Sequence, residues 1–273
     1  MWGRPEAPSR LSSSSSSMLK KTISLAALLV CTNSMIGSQN RGVTRQGQST
    51  FKRVSALACI MTHAAAELAV SKLLKAAGDK KKLGNEPRAD EVRQLCESSL
   101  ATLAKAVAVS DDAAGDATSE ATAASVFVPF IVSLESKNLV LVEESLDGLN
   151  EVIAHGLMRD CADPRDAAKK LVDVLVAAVC GCGCMQDEKV QMYVVRVLQT
   201  AILSEPNYIH GASLLQSVRT CFNVHLGSQS PANQSAAKAA LSRIINSMIN
   251  RMEGLPPGTT KSPALSSEFE NGR

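Results

Sequence analysis

The stretch Ser213–Glu253, SLLQSVRTCFNVHLGSQSPANQSAAKAALSRIINSMINRME, decides the fold. Two apolar-striped runs flank a short polar joint. Leu214, Val218, Cys221, Phe222 and His225 recur at helical spacing in the first run. Ala237, Leu241, Ile244, Ile245, Met248 and Met252 do so in the second. Spacings of three and four place such side chains on one side of an α-helix. Ser230-Pro231 in the joint marks a helix start, since serine caps free N–H groups and proline at the first position loses no hydrogen bond. The spacing predicts a helical hairpin with a buried seam.

The same pattern extends toward the N-terminus. Helices are expected over Phe51–Ala77 and Glu91–Val109, separated by a solvated loop that carries Lys80-Lys81-Lys82. Residues 110–125, with Asp111, Asp112, Asp116 and Glu120 and no large apolar group, are expected to form a mobile acidic loop. VFVPFIVSL (126–134) is expected as a short buried segment, with Pro129 at a kink or first turn. Leu139–Met158 is a further helix. Asp163-Pro164-Arg165-Asp166 has the cap, proline and acidic first turn that open a helix, here the one carrying Leu171, Leu175 and Val179. Asp187–Ser204 completes the series. Helical pairs that lack a private core must stack on their neighbours. The expected fold is all-α, an armadillo-like stack of helical hairpins (an α-solenoid).

Composition agrees with that fold. The chain has 273 residues, 45% of them apolar and only 3% aromatic. Alanine, leucine and valine suit close-packed helices better than strand faces. A net charge of +3 gives no basic stripe of the kind nucleic acid requires. Of the eight cysteines, Cys59, Cys96, Cys180 and Cys221 fall on or near apolar stripes, as small buried hydrophobes do, which argues for a reducing cytosolic compartment. Residues 1–50 differ, with Ser12–Ser17 as a homopolymer and Lys20-Lys21 before a short apolar run. They read as a disordered tail or, alternatively, a targeting segment. The domain is expected over 51–253, with 254–273 as a linker-like tail.

Several stretches resemble one family. VRTCFNVHL (218–226), NQSAAKAAL (233–241) and the closing Arg251-Met252-Glu253 are similar to the end of the dimerisation and cyclophilin-binding (DCB) domain. That domain forms the amino-terminal module of the large brefeldin-A-inhibited guanine nucleotide exchange factors for Arf GTPases. The resemblance continues through KKLVDVLVAAVCGC (169–182), VQMYVVRVLQTAIL (190–203), VFVPFIVSLESKN (126–138) and SLDGLNEVIAHGLM (145–158), with a fainter echo in VRQLCESSLATLAK (92–105). It implies a non-catalytic dimerisation and regulatory module in Golgi and endosomal vesicle traffic. The implied partners are a second copy, the downstream homology module and an Arf-like small GTPase, with membranes reached only through partners. The family's exchange domain and its glutamate finger match no stretch here, so no exchange activity is expected of this polypeptide. A stand-alone adaptor or Golgi scaffold, or an organelle-targeted helical protein, are the other readings.

The residues themselves offer no catalytic constellation. Cys180-Gly-Cys182-Gly-Cys184 lacks the paired C-x₂₋₄-C spacing and fourth ligand of a structural zinc site, so no metal or cofactor is expected, and the family resemblance at Cys180-Gly181-Cys182 implies helix-end packing. His225 reads as a core histidine, and His155 as a helix-end residue whose charged form the dipole favours. Glu143-Glu144 is expected to face solvent. Polar residues inside the family-like motifs, Lys137, Arg219, Asn223, Asn233, Gln234 and Lys238, are candidates for a partner surface or for satisfying helix ends. Phe127, Phe130, Leu146, Leu175, Val194, Leu198, Val218, Phe222, Leu241 and Ile245 are the expected core.

Overall fold

A computed structural model describes residues 45–83, 86–109, 117–204 and 209–253. Helix α1 spans Arg45–Gly78, beginning ahead of the expected Phe51, and a single turn, α2, spans Lys80–Leu83 within the expected loop. Then come α3 (Ala89–Val109), α4 (Ala117–Glu135) and α5 (Leu139–Ala154). Strands β1 (Ala162–Asp163) and β2 (Asp166–Lys170) form a small antiparallel hairpin. Helices α6 (Leu171–Cys182), α7 (Glu188–Leu203), α8 (Gly211–Gly227) and α9 (Pro231–Met252) complete the chain. The chain divides into two units after Ala65. The described part of the first is the opening of α1. Residues 1–44 of the expected N-terminal segment 1–50, residues 110–116 of the expected loop 110–125 and the whole expected tail 254–273 lie outside the described residues.

From Ala66 onward the order of packing defines the architecture. Consecutive helices pair as α4–α5, α6–α7 and α8–α9, while helices two places apart also touch, α4 to α6 to α8 and α5 to α7 to α9. Each hairpin therefore stacks on the one before, which is the arrangement of an α-solenoid. The core is continuous through the stack. Phe127, Phe130, Leu146 and Val194 are fully buried, and Leu175 and Leu198 nearly so. Basic side chains tie the layers at helix ends, where unpaired carbonyls and the helix dipole favour a cation. Arg93 donates to the Ala77 carbonyl of α1 (3.3 Å), Lys137 Nζ to Gly181 of α6 (2.8 Å) and Arg251 to Ile202 of α7 (2.6 Å).

Four local expectations are corrected. The expected acidic loop 110–125 gives way to helix from Ala117, where α4 begins, and Thr122, Ala123 and Ala124 are buried, with Ser99 donating to the Ser125 carbonyl at 2.6 Å. Alanines are the best helix formers and need only shallow contact to be covered. Pro129 lies inside α4 rather than at its start. Its ring removes the donor that would reach the Ser125 carbonyl four residues earlier, and that carbonyl accepts instead from the Ser99 hydroxyl at 2.6 Å. Asp163–Asp166 makes the β1–β2 turn, not a helix start. The buried Asp163 carboxylate accepts from the Arg165 backbone N–H (3.0 Å) and pairs with its guanidinium (3.2 Å), a turn that competes with helix initiation. Ser230 holds the N-cap position of α9 with Pro231 following, but its side chain makes no capping bond.

His155 departs from its expected electrostatics. It is the C-cap of α5, yet burial lowers its pKa, with the Glu151 carboxylate pulling the other way. The fold thus favours the neutral ring. Its contribution is present above the ordinary histidine value and is lost as pH falls through that value toward the lower folded one. His155→Asn should lose less thermal stability than the parent between about pH 7.5 and about pH 5.5. An equal loss in both proteins contradicts this assignment.

Candidate interaction surface

The terminal hairpin buries a different face from the one its large residues suggest. In α8 the buried positions are Ser213, Ser217, Cys221 and Val224, and in α9 they are Asn233, Ala237, Ala240 and Ile244. Small side chains let the hairpin approach α6 and α7 closely. Ser213 donates to the Asp173 carboxylate of α6, and Ser217 Oγ to the Ser213 carbonyl at 2.8 Å. Val218 and Leu241 are half-buried against the core.

Phe222 and Ile245 are corrections to the expected core: they are 51% and 49% exposed. The reason is geometric. A stripe ranked by hydrophobic size selects the large side chains, whereas the stack selects the face that allows close helix approach. Phe222→Ala should therefore change stability by less than about 1 kcal/mol, far below the cost of a buried ring. A loss of about 3 kcal/mol in urea unfolding would put the ring back in the core.

What remains outside is an apolar face. On α8, Leu215, Phe222 and Leu226 are exposed and share a side at i, i+7 and i+11, with Arg219 between them. On α9, Ile245, Ile249 and Met252 are exposed, with Lys238 and Ser242 in register at the same spacing. By helical spacing, the α8 stripe lies opposite its buried small-residue face, and the α9 stripe lies beside its own. Sequence reasoning missed Leu215, Leu226 and Ile249. The available signal was a second apolar periodicity running out of phase with Ser213, Ser217 and Cys221.

The six candidate surface residues divide. Arg219, Asn223 and Lys238 are exposed on the terminal hairpin, Arg219 and Lys238 within the apolar stripes. Lys137 lies elsewhere, at the α4–α5 joint, in a left-handed conformation (φ 58°) with its ammonium on the Gly181 carbonyl. Asn233 is a correction: it is 2% exposed, and its amide donates to the Glu188 carbonyl of α7 at 2.8 Å, so it satisfies a layer contact rather than a partner. Gln234 is half-buried, with its side-chain amide donating to the Ser228 carbonyl (2.8 Å) and its backbone carbonyl 2.9 Å from His225 Nδ1. Those bonds pin the α8–α9 joint.

The thiols are structural in character. Cys180 and Cys182 are buried and Cys184 is exposed. Burial pushes the Cys180 and Cys182 thiols up, and raises Cys96 and Cys221 to about 12, the reverse of an activated nucleophile. Among the described residues no three His, Cys, Asp or Glu side chains converge as a metal site requires. Among the same residues no helix is long and apolar enough to cross a membrane.

The described residues form a helical-repeat stack of the α-solenoid class whose Gly211–Met252 hairpin exposes large apolar side chains with cations among them. The family model described as the Mon2/Sec7/BIG1-like dimerisation and cyclophilin-binding domain matches residues 68–254. The chain belongs to this DCB family. It is 40% identical over 130 residues to brefeldin A-inhibited guanine nucleotide-exchange protein 1 of Homo sapiens, covering 46% of this chain and 7% of that protein. Over 126 residues it is 37% identical to brefeldin A-inhibited guanine nucleotide-exchange protein 3 of Arabidopsis thaliana, covering 46% and 7%. The chain thus matches less than a tenth of the length of these relatives.

Proposed function

We propose that the chain is the non-catalytic dimerisation and regulatory module of a large Arf guanine nucleotide exchange factor in Golgi and endosomal traffic. The observation that carries this reading is the DCB match over 68–254, which includes the terminal hairpin with its open apolar face. A hairpin that exposes large apolar side chains is suited to packing against further helices, and interfaces favour arginine and aromatic anchors such as Arg219 and Phe222. The partners in this reading are a second copy, the homology module that follows in such exchange factors, and an Arf-like GTPase. The protein works in the cytosol and reaches Golgi or endosomal membranes through those partners. Lys137, Arg219, Asn223 and Lys238 are its exposed polar contacts.

The GTPase arm has a direct test. The full chain, immobilised, should retain an Arf-like GTPase in its GTP-locked form more strongly than in its GDP-locked form, because only the former presents ordered switch segments. Equal retention of both forms, or retention of none across the Arf-like set, overturns it.

A further inference from the structure

The glycines of Cys180-Gly181-Cys182-Gly183-Cys184 stand where three hairpins meet, at the end of α6. A Cβ on Gly183 would lie 2.7 Å from Thr220 Cγ2 of α8, and one on Gly181 would lie 3.2 Å from Lys137 Nζ at the α4–α5 joint. Bare backbone thus admits one neighbour from each side. Two contacts join the end of α4 to the end of α6. The buried Cys182 thiol donates to the Leu134 carbonyl at 3.6 Å. The exposed Lys137 ammonium donates at 2.8 Å to the Gly181 carbonyl, one of the last four in a helix, which lack an intrahelical donor. Lys137 reaches it from a costly backbone. Its φ of 58° is left-handed, and it is the one non-glycine residue so placed among the described residues. Just past a helix end that conformation usually falls to glycine, which adopts it without strain. A glycine at 137 would suit the backbone better but could not make the bond to α6.

We propose that Lys137 is a charge-operated latch between the α4–α5 and α6–α7 hairpins, closed while its ammonium caps α6 and released when that charge is neutralised or drawn away. The Cys182–Leu134 contact is the fulcrum, since it is buried and carries no charge. The latch lies outside it, within reach of water and salt. It joins a full charge to the negative end of a helix dipole, so ionic strength weakens it. The nearest carboxylate in sequence, Glu135, is engaged by Arg88 (3.7 Å) and Arg165 (3.3 Å) and leaves the ammonium to α6. Each hairpin keeps its own buried seam, with Phe130 and Leu146 in one and Leu175 and Leu198 in the other. Release therefore frees the angle between the hairpins and unfolds neither, as a hinge does. The curvature of a stack follows from the small rotation between successive repeats, so this one joint alters the surface the whole stack presents. Gly181 is a positioning residue, leaving the room the ammonium occupies. The inference goes beyond the assembly reading and stands without it.

Double electron–electron resonance on the full chain tests the latch, with nitroxides on unnatural side chains at exposed Glu144 of α5 and Lys189 of α7. The parent at low salt should give one narrow distance distribution. K137Q, which removes the charge, should give one about twice as wide or wider. G181A leaves Lys137 in place but crowds its ammonium off the carbonyl, and it should widen the distribution too, although alanine favours the helix. K137R keeps the charge and should stay narrow. The parent in about 1 M salt, where charges are screened beyond about 3 Å, should resemble K137Q. Circular dichroism should show parental helix content in every variant. Distributions in K137Q and G181A as narrow as the parent's, indifference to salt, or a K137R distribution as wide as that of K137Q overturns the proposal. So does loss of helix in K137Q and G181A, which would make the contact a tie that the fold requires. No partner enters the experiment, so its failure leaves the assembly reading untouched, and a working latch in a chain that never assembles would sink that reading alone.

Discussion

Phe130→Ala should lower the free energy of unfolding by about 3–5 kcal/mol, the cost of deleting a fully buried ring from a stack that cannot collapse around it. Phe130 is 0% exposed, and Phe127 and Ile131 beside it on α4 are equally enclosed. The ring also lies against Gly148 of α5. A drop in urea midpoint with an unchanged slope would register the effect as lost stability rather than an altered unfolded state. A change below about 1 kcal/mol would mean that the ring is not enclosed as described.

Gly148→Val should be the complementary lesion, with overpacking in place of a cavity. A Cβ at Gly148 would lie 2.8 Å from Phe130 Cε1, 3.3 Å from its Cζ and 3.4 Å from the Ala69 Cβ. Replacing a mid-helix glycine would ordinarily gain up to about 1 kcal/mol of helix propensity. Forcing a side chain into a filled core costs about 1–3 kcal/mol, so the loss wins. The two sites must then be coupled. Phe130→Leu should make Gly148→Ala less costly than it is in the parent, and a double-mutant cycle reads that coupling. Strictly additive costs would contradict the contact.

The fold class was legible because long, strongly periodic helices announce themselves: Leu139, Asp187 and Pro231 fall at or beside observed helix starts. The local errors share one cause, namely tertiary contacts overriding local signals. Asp163-Pro164 has the chemistry of a helix start, yet the buried carboxylate turns back on Arg165 and makes a hairpin. Pro129 reads as a boundary, yet burial of α4 on several sides keeps the helix continuous through it. The open face was the least legible feature. Phe222 and Ile245 are apolar and periodic, and their size alone does not separate a stripe that meets the preceding layer from one that stays exposed. Only the stack does so, by seating Ser217, Cys221, Ala237 and Ala240 inward instead. Arg219 and Lys238 were singled out in sequence for lying within family-like motifs. Their placement inside the apolar stripes required the structure.

The account rests on the claim that this chain acts by assembly. Sedimentation velocity of the full chain over a wide concentration range, alone and with a GTP-loaded Arf-like GTPase, tests that claim most directly. A concentration-dependent dimer, together with a discrete heavier complex when the GTPase is added, is the predicted result. A chain that stays monomeric throughout and leaves the GTPase sedimenting on its own would contradict it.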